Sequence, residues 1–146
     1  PTPAPPHIPT PTPALLGQPT WYIPSVWGTI HTMKFYERAY DQPTSRTDRQ
    51  YSRIFSLGQV RMIYFELEMS YDRTIIDTLE LTHIYYKNGR EWYRHTQEHW
   101  IFSNNRTDNI TSGTGYLNYG KFPAGKFDVE IYSDGVLVAL SSFIVQ

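Results

Sequence analysis

The chain has 146 residues, a formal net charge of −1 and only 18% charged residues, so no electrostatic attraction draws it to nucleic acid or to an anionic membrane. It contains no cysteine, which excludes disulfides, thiolate metal sites and cysteine nucleophiles. No run approaches the ~20 apolar residues of a membrane span, so none is expected. The chain opens on Pro1 rather than methionine, which is typical of a processed, exported product and equally of a trimmed chain.

A proline-rich segment, residues 1–19, precedes the rest of the chain. It holds eight of the eleven prolines, so it can form neither a helix nor a central strand, and we expect an extended polyproline II arm. At ~3.1 Å per residue such an arm spans about 60 Å, whereas the body at 20–146 should be roughly 35 Å across. The arm is therefore long enough to reach a neighbouring copy. Its expected apolar anchors are Ile8, Leu15 and Leu16.

The stretch after the arm, residues 20–27, is aromatic and is interrupted by a proline. This composition suits an edge strand or a lead-in segment rather than a central strand. We expect residues 21–27 to act as an insertion strand that adds to the open sheet edge of another copy. Its candidate docking residues are Trp21, Tyr22, Ile23 and Trp27.

Alternating apolar and polar residues predict three strands in the first half of the body, at 29–36, 51–55 and 60–70. Between the first two, the polar run 41–48 carries a proline and predicts a loop. The 16% aromatic content, with twelve tyrosines, also favours strands.

The same alternation predicts which side chains face the core. His31 should share a half-buried face with Met33 and Phe35 in the first strand. In the third strand Glu66 and Glu68 should form a solvated face. The opposite, buried face of that strand should carry Ile63, Phe65, Leu67 and Met69.

Two long alternating runs, 75–87 and 91–102, are joined by Asn88-Gly89, which favours a type I′ turn and predicts a β-hairpin. Its register decides which side chains meet.

Counting residues from this turn places Tyr85 opposite Trp92 and His83 opposite Arg94. Trp92 and Trp100 should then share one face of their strand. Flat aromatic rings on a bare face could stack on sugars, although most tryptophans are expected in the core or in an interface.

Residues 103–115 (SNNRTDNITSGTG) lack periodicity and predict a long polar loop. Two N-glycosylation sequons lie within it, so Asn105 and Asn109 are candidate glycosylation sites in an exported protein. The alternative is an ordinary loop rich in asparagine and threonine. In the arm, threonines next to prolines have the composition of O-glycosylated stalks. These candidate sites are Thr2, Thr10 and Thr12.

The last hairpin joins alternating residues at 127–131 to a closing strand at 136–145 through Asp134-Gly135. That closing strand is apolar on both faces, so it should be covered on both sides and could help to receive an arm. With about seven strands and no helix, the chain is predicted to be an all-β protein with an antiparallel β-sandwich, and a closed barrel is the alternative.

The string His95-Thr-Gln-Glu-His99 matches the H-x-x-E-H pattern of inverted zinc peptidases, in which a helix brings both histidines to one zinc. Here the string lies in a predicted strand, where residues four apart are ~13 Å from each other. Zinc bonds of ~2.1 Å cannot bridge that separation. No serine lies in a nucleophile elbow and no glycine-rich phosphate cradle is present, so we expect no enzyme, metal or cofactor.

Residues 122–145 (FPAGKFDVEIYSDGVLVALSSFIV) resemble the C-terminal hairpin of bacterial secreted or cell-surface immunoglobulin-like β-sandwich modules. The resemblance covers about the last sixth of the chain, with Phe127 where tyrosine is commoner. It implies an immunoglobulin-like sandwich of about seven strands and implies no activity. Together with the arm, the architecture resembles extracellular filament subunits whose N-terminal arm docks on the adjacent protomer.

These features lead to one main hypothesis and two rivals. The main hypothesis is a secreted or cell-surface structural subunit, expected to be glycosylated, whose arm docks on the next copy and builds a head-to-tail fibre. Its partners would be other copies of itself. The first rival is a glycan- or protein-binding module of a larger exported protein. The second rival, an enzyme, has the least support.

Overall fold

A computed structural model describes residues 21–74, 76–102 and 106–146, so the predicted arm lies outside the described residues. Three short 3-10 turns and no α-helix occur in these ranges, and no helix there is long and apolar enough to cross a membrane. The described strands are β1 (Trp21–Ile23), β2 (Gly28–Arg38), β3 (Ile54–Phe55), β4 (Met62–Tyr71), β5 (Ile76–Lys87), β6 (Arg90–Phe102), β7 (Thr107–Gly115), β8 (Gly125–Ser133) and β9 (Val136–Val145).

The strands form two sheets, in the orders β1-β2-β4-β7 and β3-β9-β8-β5-β6. Every pairing is antiparallel except that of β3 with β9. The chain changes sheet on both sides of the two-residue strand β3, and again between β4 and β5, β6 and β7, and β7 and β8. Among the longer strands this is a Greek-key arrangement of immunoglobulin-like sandwiches. The predicted all-β, immunoglobulin-like antiparallel sandwich is therefore confirmed. Two very short strands, β1 and β3, extend the seven longer ones.

The core lies between the sheets, where the predicted alternation holds. The inner face of β4 carries the four buried side chains expected from the sequence. Opposite them, Phe127 and Phe143 stack with ring centroids 4.9 Å apart. Burial of each such large side chain contributes about 1.5–3 kcal/mol. The four β4 residues are Ile63, Phe65, Leu67 and Met69.

The two ends of the sandwich are distinguished by its connections. We call the end where β4 ends and β5 begins the upper end, and the end with the β5–β6 turn the lower end. Ile23 pairs with Gly28, which pairs with Tyr71, so β1 runs toward the upper end and Trp21 is its lower residue. β1 and β6 are edge strands on opposite sides of the sandwich.

The predicted polar loop at 103–115 is wrong over most of its length, because β7 pairs with β4 from Thr107 to Gly115. Its small polar residues give no alternation that a sequence reading could detect. Gly113 lies so close to β4 that a Cβ there would be 2.7 Å from the Ile63 carbonyl oxygen and from the Tyr64 ring. The partner strand, rather than local preference, therefore makes this segment a strand.

The hairpin of β5 and β6 forms as predicted, but its register differs. A bulge at Tyr85/Tyr86 shifts the pairing by one residue, so Tyr85 lies opposite Tyr93 and His83 lies opposite His95. The predicted pairs with Trp92 and Arg94 are therefore wrong.

The bulge also separates the two tryptophans of β6. Trp92 packs inward, with its ring centroid 5.1 Å from that of Phe127 and 5.4 Å from that of Phe122, while Trp100 points outward. The prediction that both share one face is wrong.

A second bulge, between Ile30 and Thr32 in β2, changes the first predicted strand. Ile30 is buried with Met33, whereas His31 is exposed and its Nε2 lies 2.6 Å from the Ser70 hydroxyl oxygen. The expected half-buried position of His31 is therefore wrong. The extra residue in the bulge rotates it out of the core.

The outer face of the first sheet is covered by residues 39–53, which we call the cover segment. Glu66 is only 1% exposed there and accepts hydrogen bonds from Arg49 (2.6 Å) and the Tyr51 hydroxyl. The predicted solvated position of Glu66 is wrong because this segment folds back over it, while Glu68 stays partly exposed.

The closing strand β9 is less covered than predicted. Val138, Ala139 and Phe143 are buried, but Val136 and Ile144 are exposed near its two ends. Coverage on both faces therefore does not extend along the whole strand.

Candidate functional site

Three exposed apolar side chains lie together at the upper end of the β5–β6 hairpin, and we call them the hairpin patch: Ile76, Trp100 and Phe102. They are 64%, 70% and 54% exposed, respectively. Ile76 pairs with Phe102, and Thr78 pairs with Trp100, so all of them lie on one face of the hairpin. Because Ile101 between the two rings is fully buried in the core, that face is the outer one.

The hairpin patch carries no charge of its own. The first charged residues along the same outer face are Glu80 and Glu98, which pair with each other on the lower side of the patch. β6 is an edge strand of thirteen residues, so its far side offers backbone groups for pairing. A contiguous exposed apolar surface beside an open edge is typical of an interaction site.

The structure places the predicted docking residues of the 20–27 segment against their own chain. Ile23 is 1% exposed and Trp21 packs against the core. The Tyr22 hydroxyl is 3.4 Å from Asp72, and the Arg73 guanidinium lies 4.0 Å from the centre of the Trp27 ring. This segment therefore forms the edge strand β1 of its own sheet, which differs from the predicted insertion into another copy. The arm residues Ile8, Leu15 and Leu16 lie outside the described residues.

The predicted glycosylation sites fall in two settings. Asn109 lies on β7, an edge strand, opposite Glu68 on the outer face of the first sheet. Its side-chain oxygen is buried and has no hydrogen-bond partner within the described ranges. The remaining candidates, Asn105, Thr2, Thr10 and Thr12, lie outside the described residues.

The H-x-x-E-H string lies on β6, as expected, and its two histidines flank a third that sequence reasoning did not place there. The His83 ring centroid is 6.1 Å from that of His95 and 5.7 Å from that of His99. On its other side it meets Phe65 of the facing sheet at 4.8 Å. The bulge in the hairpin brings this third histidine into the row, and only a register known from the structure could have revealed it.

Burial sets the protonation of this histidine row. Burial, reinforced by His99 and His95, lowers the pKa of His83 to about 3. Burial likewise lowers the pKa of His99. Both rings are therefore neutral near pH 7. Over 21–74, 76–102 and 106–146, no group of three histidine, cysteine, aspartate or glutamate side chains is arranged to hold a metal ion.

A polar surface cleft of about 480 Å³ lies between the cover segment and β3. Its two acidic side chains already have partners, because Glu37 receives hydrogen bonds from Arg61 at 2.9 Å and Asp48 receives one from Ser45. The cleft thus offers no pair of free carboxylates for acid–base chemistry.

Sequence reasoning missed Ile76 and Phe102 as site residues. One signal in the sequence could have revealed them. Alternation places both apolar residues on the solvent-facing side of the hairpin near its open end, where polar residues are expected. Trp100 was considered only together with Trp92.

No protein-family profile matches this chain, and no curated protein matches it significantly in sequence. Among solved structures, an immunoglobulin-like protein from Pseudomonas aeruginosa has a TM-score of 0.48 at 12% identity, over 79% of this chain and 92% of that one. A β-glucosidase from Listeria innocua has a TM-score of 0.43 at 10% identity, over 64% of this chain and 14% of that one. An alkylpurine DNA glycosylase from Pseudomonas fluorescens has a TM-score of 0.44 at 10% identity, over 78% and 30%.

All three TM-scores are below 0.5, so these similarities carry no argument about function. The strand order of the chain itself defines its class, an all-β protein with an immunoglobulin-like antiparallel sandwich.

Proposed function

We propose that this protein is a non-enzymatic structural subunit of an extracellular filament, in which residues 1–19 of one copy dock on the next. The observation that carries the proposal is the chemistry of that segment. It has eight prolines, three large aliphatic residues and no lysine, arginine, aspartate or glutamate. Such a segment lacks the charged side chains typical of a solvated linker. Its apolar side chains would be stabilised by burial against another surface.

One physical argument favours a polymer over a closed dimer, and a second favours docking of the arm as such. An arm that docks on a different part of its neighbour makes a heterologous contact, and such a contact propagates when its rotation does not close a ring. Prolines hold the arm extended before it binds, so less conformational entropy is lost on docking.

The test compares the full chain with two matched variants by sedimentation velocity and negative-stain electron microscopy. Replacing the apolar anchors, I8S/L15S/L16S, should leave monomers, and deleting residues 1–19 should do the same. The control T2S/T10S/T12S keeps every apolar residue and should polymerise like the parent chain. A parent chain that stays monomeric at all concentrations, or an anchor variant that still forms fibres, would overturn the proposal.

We also propose that the chain is exported and carries glycans at Asn105 or Asn109. Intact mass spectrometry of protein from its native source tests this, because each glycan adds to the 17.1 kDa of the bare chain. Asn105→Gln and Asn109→Gln, made singly, should each remove the glycan of its own sequon. A native mass equal to that of the bare chain would contradict the modification.

A second candidate function, a glycan- or protein-binding module, is favoured by one observation: the Trp100 ring is 70% exposed and lies beside Phe102. Flat aromatic rings of this kind stack on sugars. This function predicts a monomeric full chain whose tryptophan fluorescence changes on titration with an oligosaccharide and no longer changes in W100S.

A further inference from the structure

We propose that the hairpin patch is the surface that receives residues 1–19 of the neighbouring copy. This inference rests on the proposed function and adds the receiving site to it. The patch comprises Ile76, Trp100 and Phe102 on the outer face of the β5–β6 hairpin.

The two surfaces match in chemistry. Proline-rich segments in the polyproline II conformation dock on surfaces lined by aromatic rings. Both the arm and the patch are uncharged, so no charged side chain of either has to be removed from water when they bind. Glu80 and Glu98 border the patch on its lower side and would mark the limit of the contact.

The open edge of β6 offers backbone groups next to the same rings. Natural edge strands are commonly protected by charged residues, but the stretch from Trp100 to Phe102 has none. In the arm, residues 14–18 form the longest run without proline and contain both leucines. This run can donate backbone hydrogen bonds to the edge of β6, while the prolines before it lie on the aromatic rings.

The direction of β1 favours a neighbouring copy over the chain's own patch. β1 runs toward the upper end, so the chain enters it from the lower side of Trp21. The patch lies at the upper end, on the opposite edge of the sandwich. An arm that enters from below one copy meets a patch at the top of the next copy, which is a head-to-tail arrangement.

The first experiment measures polymerisation of the full-length double variant W100S/F102S by sedimentation velocity. We expect loss of polymers. The matched control L117S/V136S removes two apolar side chains that are 73% and 62% exposed elsewhere, and it should polymerise like the parent. Polymers of W100S/F102S at the parent's concentration would overturn this inference and leave the proposed function intact. A parent chain that never polymerises would overturn both.

The second experiment locates the contact directly. The photo-crosslinking residue benzoylphenylalanine replaces Leu15 in unlabelled full-length chain, which is mixed with ¹⁵N-labelled chain before illumination. We expect mixed light–heavy peptides that join the arm to 76–78 or 98–102. Crosslinks to any other surface, or crosslinks only within one chain, would overturn the inference.

Discussion

The outer faces of the two sheets differ in whether the chain covers them. On the first sheet the cover segment folds back, and its Arg49 and Tyr51 side chains pack on Tyr36 and bind Glu66. On the second sheet the upper end of the β5–β6 hairpin leaves Trp100 and Phe102 exposed, and no described residue covers them. An aromatic outer face is thus covered by the chain itself in one place and exposed in the other. Substitutions on the two faces should therefore differ in their effect on stability.

The largest stability loss is expected on the covered face. Tyr64 stacks on Tyr36 with ring centroids 5.7 Å apart, beneath the Arg38 guanidinium at 4.1 Å. Tyr64→Ala should lower the free energy of unfolding by about 3 kcal/mol, because it leaves a cavity between the Tyr36 ring and the Arg38 side chain. Urea denaturation measures this against Tyr40→Ala, an exposed control that should change stability by less than about 0.5 kcal/mol. Equal losses of stability in both variants would show that the Tyr64 ring does not pack as described.

The next effect concerns the buried charge of Glu66. Arg49→Met removes its 2.6 Å partner and should cost about 2 kcal/mol, since Tyr51 still donates a hydrogen bond. Arg46 is 3.7 Å from the same carboxylate, but its side chain is 55% exposed. Arg46→Met should therefore cost less than about 0.5 kcal/mol. The reverse order of losses in urea denaturation would contradict this assignment.

A smaller effect comes from the histidine row beneath the exposed hairpin. The pKa of His83 is about 3 in the folded chain and 6.5 ordinarily, so the unfolded state binds more protons between these values. Stability is fully present above pH 6.5 and should fall by about 1 kcal/mol between pH 7 and 5.5. His99, whose pKa is also lowered, acts in the same direction.

Burial raises the pKa of Asp108, so its protonation favours the folded state in more acidic solution and opposes the histidine effect there. The measurement is therefore best made above the pH range in which carboxyl groups titrate. His83→Leu should weaken the pH dependence of the urea midpoint, whereas His31→Leu, at an exposed position, should retain it. If the urea midpoint of His83→Leu depended on pH as strongly as that of the parent chain, protonation of His83 would not be the cause of the pH dependence.

The smallest effect is expected on the exposed face. Trp100→Ser and Phe102→Ser should each change the free energy of unfolding by less than about 0.5 kcal/mol, because neither ring is packed under other described residues. Urea denaturation at low protein concentration, where polymers are absent, checks this. Losses above about 1 kcal/mol would indicate that the rings stabilise the monomer itself.

Several elements of the fold could be predicted because their signals are local. The Asn88-Gly89 and Asp134-Gly135 turns each join two alternating strands, and β4 buries the face that its alternation indicates. The predictions that failed depended on distant residues. A polar segment became β7 through pairing with β4, and Glu66 became buried through the cover segment.

For the candidate site, the sequence predicts a docking arm with apolar residues but not the exposed surface of the β5–β6 hairpin. It also assigned 21–27 to another copy, whereas the structure pairs β1 with β2 of the same chain. Edge strands form backbone hydrogen bonds with any suitable neighbour, so composition alone does not say which chain supplies the partner.

Local signals in the sequence were enough to predict antiparallel strands and to show that residues 1–19 are uncharged and rich in proline, because turn chemistry, alternation and proline content act over a few residues. Only the tertiary structure decided which outer face is covered, which tryptophan is exposed and which histidines meet. Each bulge rotates the following side chains to the other face, and its position depends on pairing and packing across the whole sandwich.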